Sequence, residues 1–318
     1  MSDTLSGNET ARPRPRVVGF TPASPFEMTQ AEAGAEVLRA LGLSVTLPEP
    51  LLDAEPNARS WLAGGDRARA DALATALAAD CEVVWMVRGG FGSARLLAAG
   101  APSASRTPLV AFSDGTALLA WASGAGQPAW SAPPLTQLPR LDAPSAVRLA
   151  AFARGLARPR PPAPVAFQGL RRHLRGEATG PLFPANLCVL ASLAGTPLAP
   201  DLRGAVLALE DTGEAPYRVD RMLTQVAQAG LLEGVRGVVL GDFTAGHAPS
   251  EALTRGLAAV FHHFVADWAA PRGVAVAADL PFGHGGVNAP LPCGRASGFV
   301  ATLSVDDDGA GLTFAEAA

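Results

Sequence analysis

The sequence predicts an α/β protein built from two units. Three observations carry that expectation. Short apolar runs, each with a valine, alternate with helical patterns from residue 16 onward; a second strand and helix series follows beyond residue 200; a proline-rich break lies between them. Strand and helix in strict alternation give a parallel sheet with helices on its faces.

In the first unit, strands are predicted at 16–21, 43–47, 82–87 and 108–112, with helices at 28–41, 66–79 and 115–122. Residues 1–16 are rich in Ser, Thr, Asn, Pro and Arg and read as a disordered tail, so the first domain is set at 17–156. The run from Ala157 to Pro164 carries prolines at 159, 161, 162 and 164, which remove backbone donors and hold their neighbours extended. It is the expected linker, 157–164, and the second domain is set at 165–318.

In the second unit a strand is expected at 205–210. Pro216 then opens a helix in which Val219, Met222, Leu223 and Val226 share one face, and Gly230 closes it. Further buried strands are expected at 237–243 and 274–280, with an amphipathic helix at 251–268 between them. The chain closes on a hairpin, 296–305 against 311–315, turned by 306–309.

Composition narrows the function. The 318 residues suffice for two cores, and the net charge of −4 offers no basic footprint for nucleic acid. Arg171, Arg172 and Arg175 read as solvated surface. Cys81, Cys188 and Cys293 are odd in number and widely spaced, as expected of reduced cysteines in a reducing compartment. No apolar run is long enough to span a membrane and no export signal is recognisable, so a cytoplasmic location is expected.

Functional groups in open α/β sheets collect at the carboxyl ends of strands. Four such ends carry chemistry here. Ser113 follows the strand at 108–112 and precedes a helix, with Gly115 two residues on; this is the pattern of a nucleophile elbow, although a plain helix cap has the same local sequence. The amide of Asp114 would face a developing oxyanion. Glu210 and Asp211 end the strand at 205–210, and either could orient a histidine. His284 lies between Gly283 and Gly285 just past another strand, whereas His262 and His263 share a helix and His173 and His247 fall in polar loops. The loop Arg88-Gly89-Gly90-Phe91-Gly92 follows a fourth strand, and Gly90 is the expected second oxyanion donor. Its spacing is not that of a dinucleotide site, and neither a Walker motif nor HExxH occurs, so no cofactor or metal is expected.

These blocks resemble the LD-carboxypeptidases, serine peptidases that include the microcin C immunity peptidases. The likeness rests on Arg88 to Leu97, Ser113-Asp114-Gly115-Thr116, Asn186-Leu187, Leu193-Ala194-Gly195-Thr196-Pro197, Leu209-Glu210-Asp211-Thr212-Gly213-Glu214, Tyr217 to Leu223, Phe282-Gly283-His284 and Leu291-Pro292-Cys293-Gly294, in that order. The resemblance implies a Rossmann-like N-terminal nucleophile domain plus a smaller mixed α/β C-terminal domain carrying acid and base. It assigns Ser113 as nucleophile, Glu210 as triad acid and His284 as base. It further implies a murein tetrapeptide substrate that loses its terminal D-alanine during wall recycling, and a homodimer. Ala111 and Ala185 stand where the family has glycine, and Thr21-Pro22-Ala23-Ser24 replaces its Pro-Ser-Gly turn.

The substrate's free carboxylate calls for a bidentate donor, and Arg88, Arg218 and Arg221 are the candidates; each also reads as an ion-pair partner of a nearby acid. Two other functions fit the same residues. One is a microcin C immunity-type hydrolase of aminoacyl-nucleotide analogues, which needs an aromatic to stack on the base; the lid-like stretch 163–184 offers only Phe167 and Phe183, both expected in the core. The other is a non-catalytic peptide-binding protein of the same fold.

Overall fold

The computed structural model describes residues 14–51, 60–156 and 162–317. Most of the expected tail and linker falls outside them. The first half runs β1 (Arg16–Phe20), α1 (Met28–Ala40), β2 (Ser44–Thr46), α2 (Asp66–Ala78), β3 (Val83–Met86), α3 (Ser93–Gly100), β4 (Leu109–Ala111), α4 (Thr116–Ala125), β5 (Ala129–Ser131) and α5 (Ala143–Leu156). The second continues with β6 (Phe167–Gln168), β7 (Arg171–Leu174), β8 (Gly176–Gly180), β9 (Leu182–Asn186), α6 (Leu187–Leu193), β10 (Val206–Glu210), α7 (Pro216–Gln228), β11 (Gly237–Leu240), α8 (Glu251–Phe264) and β12 (Ala275–Ala278). It closes with β13 (Leu291–Cys293), β14 (Phe299–Val305) and β15 (Ala310–Glu316).

Three sheets result. The first has the order β13-β5-β4-β3-β1-β2 and is parallel except for β13, which comes from the second half. Alternation along its strands sends Val83, Trp85, Val110 and Trp130 into a core with Leu38 of α1 and Phe152 of α5. Val84, Met86, Leu109 and Ala111 face the other way, toward Leu73, Leu96 and Leu118 of α2, α3 and α4.

The second sheet, β7-β12-β11-β10-β9, is parallel from β9 to β12. Its connections α6, α7 and α8 cover one face with Leu190, Val219, Leu223 and Phe261, and this layer is continuous with the α4 side of the first sheet. The other face packs on the antiparallel sheet β6-β15-β14-β8 through Ala178, Val206, Ala208, Ala275, Leu303 and Leu312.

The segment 279–290 leaves β12 in the second sheet and enters β13 in the first. It is tied to the start of α5 by Asp142 N–H donating to Gly286 O at 3.0 Å and by Asn288 N–H donating to Ser145 Oγ at 3.1 Å.

Two expectations change. The stretch 163–184 is not a lid: it supplies β6, β7, β8 and the first residues of β9, and Phe167 and Phe183 are buried as expected. His173 lies within β7 rather than in a loop. The arginines near it are exposed and face acids: Arg171 pairs with Asp279 at 2.9 Å, and Arg172 and Arg175 with Asp307. Among the described residues no helix is long and apolar enough to cross a membrane.

Candidate active site

The turn after β4 is strained at one residue. Ser113 has φ +60°, a left-handed conformation that costs a non-glycine residue about 1 kcal/mol or more. A single 3₁₀ turn, Ser113–Gly115, then feeds α4. Glycine is needed at 115, because a Cβ there would stand 2.8 Å from the Ala111 methyl and 3.1 Å from Met86 Sδ. The methyl at Ala111 is therefore accommodated by the bare backbone opposite.

Glu210, the last residue of β10, and His284, in the connection from β12 to β13, converge on this serine. His284 Nε2 lies 2.9 Å from Ser113 Oγ, and its Nδ1 lies 2.7 Å from Glu210 Oε2. A carboxylate at Nδ1 fixes the Nδ1–H tautomer and leaves the Nε2 lone pair facing the hydroxyl. The imidazole packs on Phe112, with ring centroids 4.7 Å apart. Its side chain is 13% exposed and that of Glu210 not at all. Burial pushes the Glu210 carboxyl upward, and hydrogen bonds from His284 and Asn186 oppose that push.

Asp211 points elsewhere. Its Oδ2 accepts from Cys188 N–H at 2.9 Å and its Oδ1 from Thr212 N–H at 2.8 Å. Asn186 joins the two acids, donating from Nδ2 to Glu210 Oε1 and to Asp211 Oδ1 at 3.1 Å each. Its Oδ1 accepts from Val189 N–H and caps α6, and its own N–H donates to Thr116 Oγ1 on α4.

The glycine loop lies against the serine. A Cβ on Gly89 would stand 3.4 Å from Ser113 Oγ, and Gly90 has φ +114° with its missing Cβ position filled by the Ser24 side chain. Ser24 Oγ accepts from Phe91 N–H at 3.3 Å and donates to Trp61 O at 2.8 Å. The altered N-terminal turn thus supports this loop. Gly90 follows Gly89, whose Cβ position lies against Ser113, and Asp114 is next to Ser113 in sequence.

The three arginines do not converge. Arg88 donates to Pro25 O at 2.6 Å; Arg218 pairs with Glu214 at 3.4 Å, and both Arg218 and Arg221 lie over the exposed Tyr217 ring. All three are exposed. Sequence reasoning left two side chains without a role: Asn186, quoted only within a motif, and the fully buried Arg69. The signal for Arg69 was a charge on the stripe of α2 that also carries Ala70, Leu73, Ala76 and Leu77.

Two family models cover most of the chain: the LD-carboxypeptidase N-terminal domain matches residues 17–131 and the LD-carboxypeptidase C-terminal domain matches 179–298. The chain belongs to the LD-carboxypeptidase family. A provisionally named carboxypeptidase of Synechocystis sp. is 33% identical over 307 residues, 95% of each chain. The murein tetrapeptide carboxypeptidase of Pseudomonas aeruginosa is 31% identical over 316 residues, 93% of this chain and 97% of that one. Among solved structures, the muramoyltetrapeptide carboxypeptidase of Oxalobacter formigenes superimposes with a TM-score of 0.72 at 24% identity, covering 95% of this chain and 99% of the other. This LD-carboxypeptidase family member shares its two-part mixed α/β architecture with that structure.

Proposed function

We propose that this chain is a serine LD-carboxypeptidase that removes the terminal D-alanine from murein tetrapeptides. The observation that carries the reading is the hydrogen-bonded chain from Ser113 through His284 to Glu210. His284 Nε2 takes the Ser113 proton as the oxygen attacks the carbonyl of the L-centre preceding the D-residue. Glu210 stabilises the imidazolium so formed. Amides of Gly90 and Asp114 donate to the tetrahedral oxyanion. Collapse expels the D-alanine amine, which takes its proton from His284, and leaves an acyl ester on Ser113. Water, deprotonated by His284, then hydrolyses that ester and restores the serine.

Further parts of the reading are a cytoplasmic homodimer acting in wall recycling, a nucleophile half over 17–156 and an acid and base half over 165–318. One of Arg88, Arg218 and Arg221 receives the terminal carboxylate. An aminoacyl-nucleotide hydrolase is the less supported reading, because Phe167 and Phe183 are buried and cannot stack on a base.

The test is turnover of a tetrapeptide ending in D-alanine, of its C-terminal amide, and of an aminoacyl-sulfamoyl nucleoside. Release of D-alanine from the acid, with kcat/KM about tenfold to a hundredfold lower on the amide, is expected for loss of one charge-assisted hydrogen bond. Preference for the nucleoside, or equal rates on acid and amide, would overturn the exopeptidase reading. An Arg88→Ala variant that erases the preference for the acid identifies Arg88 as the carboxylate donor.

A further inference from the structure

The peptide unit around Gly92 is gripped from both sides. Arg69, wholly buried on α2, donates from Nη1 to Gly92 O at 2.9 Å and to Pro22 O at 2.6 Å. It also pairs with Asp66, which Arg95 holds in turn through its Nε at 3.0 Å. From the other side, Asp114 Oδ2 accepts from Ser93 N–H at 2.8 Å. Gly92 has φ +139°, and a Cβ there would collide with Arg69 Nη1.

We infer that Asp114 and Arg69 are positioning residues, a clamp that sets the separation between the amide donors of Gly90 and Asp114. The inference rests on the reading of Ser113 as nucleophile. Asp114 carries one of the two donors on its own backbone, while its side chain reaches across to the loop that carries the other. Its hydrogen bonds run to that loop, not to Ser113 or His284. Burial pushes its carboxyl upward, and hydrogen bonds from Ser93 and Gly92 and the charge of Arg69 oppose that push. Oxyanion donors act only when held at about 2.7 to 3.1 Å from the oxygen on which charge develops, so a loop free to rotate at Gly92 would forfeit stabilisation made in the transition state alone.

The experiment compares wild type, Asp114→Asn and Arg69→Lys in the full-length protein. Asparagine keeps the shape but gives up the negative charge and one of the two acceptor oxygens; lysine keeps the charge but cannot span two carbonyls with a planar fork. Each variant is expected to lower kcat on the order of tenfold to a hundredfold with KM within about threefold. Affinity for a boronate analogue of the substrate, which forms a tetrahedral adduct on the serine, falls by the same factor. Thermal unfolding identifies a variant that fails to fold, and the other then decides. A folded variant that keeps kcat and boronate affinity, or that changes KM alone, overturns the clamp. Failure of the boronate to modify wild type at Ser113 would instead sink the nucleophile assignment.

Discussion

Asn186 donates to Glu210 with the same side-chain amide group that it offers to Asp211, so one neutral residue holds two buried acids and also touches α4, the helix that follows Ser113, through Thr116. Replacing it with Ala leaves both carboxylates short of a donor. Asn186→Ala is expected to cost about 1 to 3 kcal/mol of stability, from unsatisfied buried acceptors. Chemical denaturation measures this, and a parallel fall in kcat is expected because Glu210 loses its second restraint. A variant as stable as wild type would show that water replaces the amide.

Ser113→Ala is expected to lower kcat by about a thousandfold or more with the fold intact. Adding His284→Ala should cost little beyond that, because the two residues act as a unit through their 2.9 Å hydrogen bond. Steady-state rates of the single and double variants check this, and additive losses would give His284 a separate task.

Glu210→Gln should cost far more activity than Asp211→Asn. The amide cannot stabilise an imidazolium, whereas Asp211 spends both oxygens on Cys188, Thr212 and Asn186. The reverse ranking in kcat would make Asp211 the triad acid.

The same buried glutamate has a signature in stability. Its carboxyl is raised by burial, so the folded protein binds its proton at a higher pH than the unfolded chain does. Stability therefore rises as pH falls through the folded value and levels off below the unfolded value, about 4.3. Glu210→Gln removes that dependence. The Tm of wild type minus that of Glu210→Gln, followed from pH 7 downward by calorimetry, should increase; a flat difference would mean that the hydrogen bonds from His284 and Asn186 cancel the effect of burial.

Gly115→Ala forces a methyl to within 2.8 Å of the Ala111 methyl and should destabilise by about 1 to 3 kcal/mol while displacing Ser113. Ala111→Gly in the same chain should recover much of both losses, since it opens the space from the other side. Purely additive unfolding energies in that double-mutant cycle would place the strain elsewhere.

The strands and helices that were legible in the sequence are those with a clean period. Val219, Met222, Leu223 and Val226 are buried on α7, and β14 and β15 pair around the turn at Asp306, where Asp306 N–H donates to Gly309 O. Ser113 and His284 were legible because each follows an apolar strand, and Glu210 because it ends one. What was not legible is tertiary. Strands β5 and β13 are three residues each and pair only because chain distant in sequence returns to them. The helix at 251–268 ends early as α8 and passes into a π-helical turn, Val265–Ala269, with Trp268 stacked on Phe264. The roles of Arg69 and Asn186 were not legible, because the contacts that define those roles, with Pro22 and Gly92 and with Glu210 and Asp211, reach 23 or more residues along the chain.

The segment 279–290 has a mechanical consequence. It is a covalent strap, anchored at one end in the second sheet and at the other in the first, and His284 rides near its middle. Glu210 ends a strand of one sheet and Ser113 lies just past a strand of the other, so any sliding of the sheets is felt by the imidazole from both directions at once. The hydrogen bond between His284 and Ser113 thereby works as a strain gauge for how well the two halves of the molecule fit together.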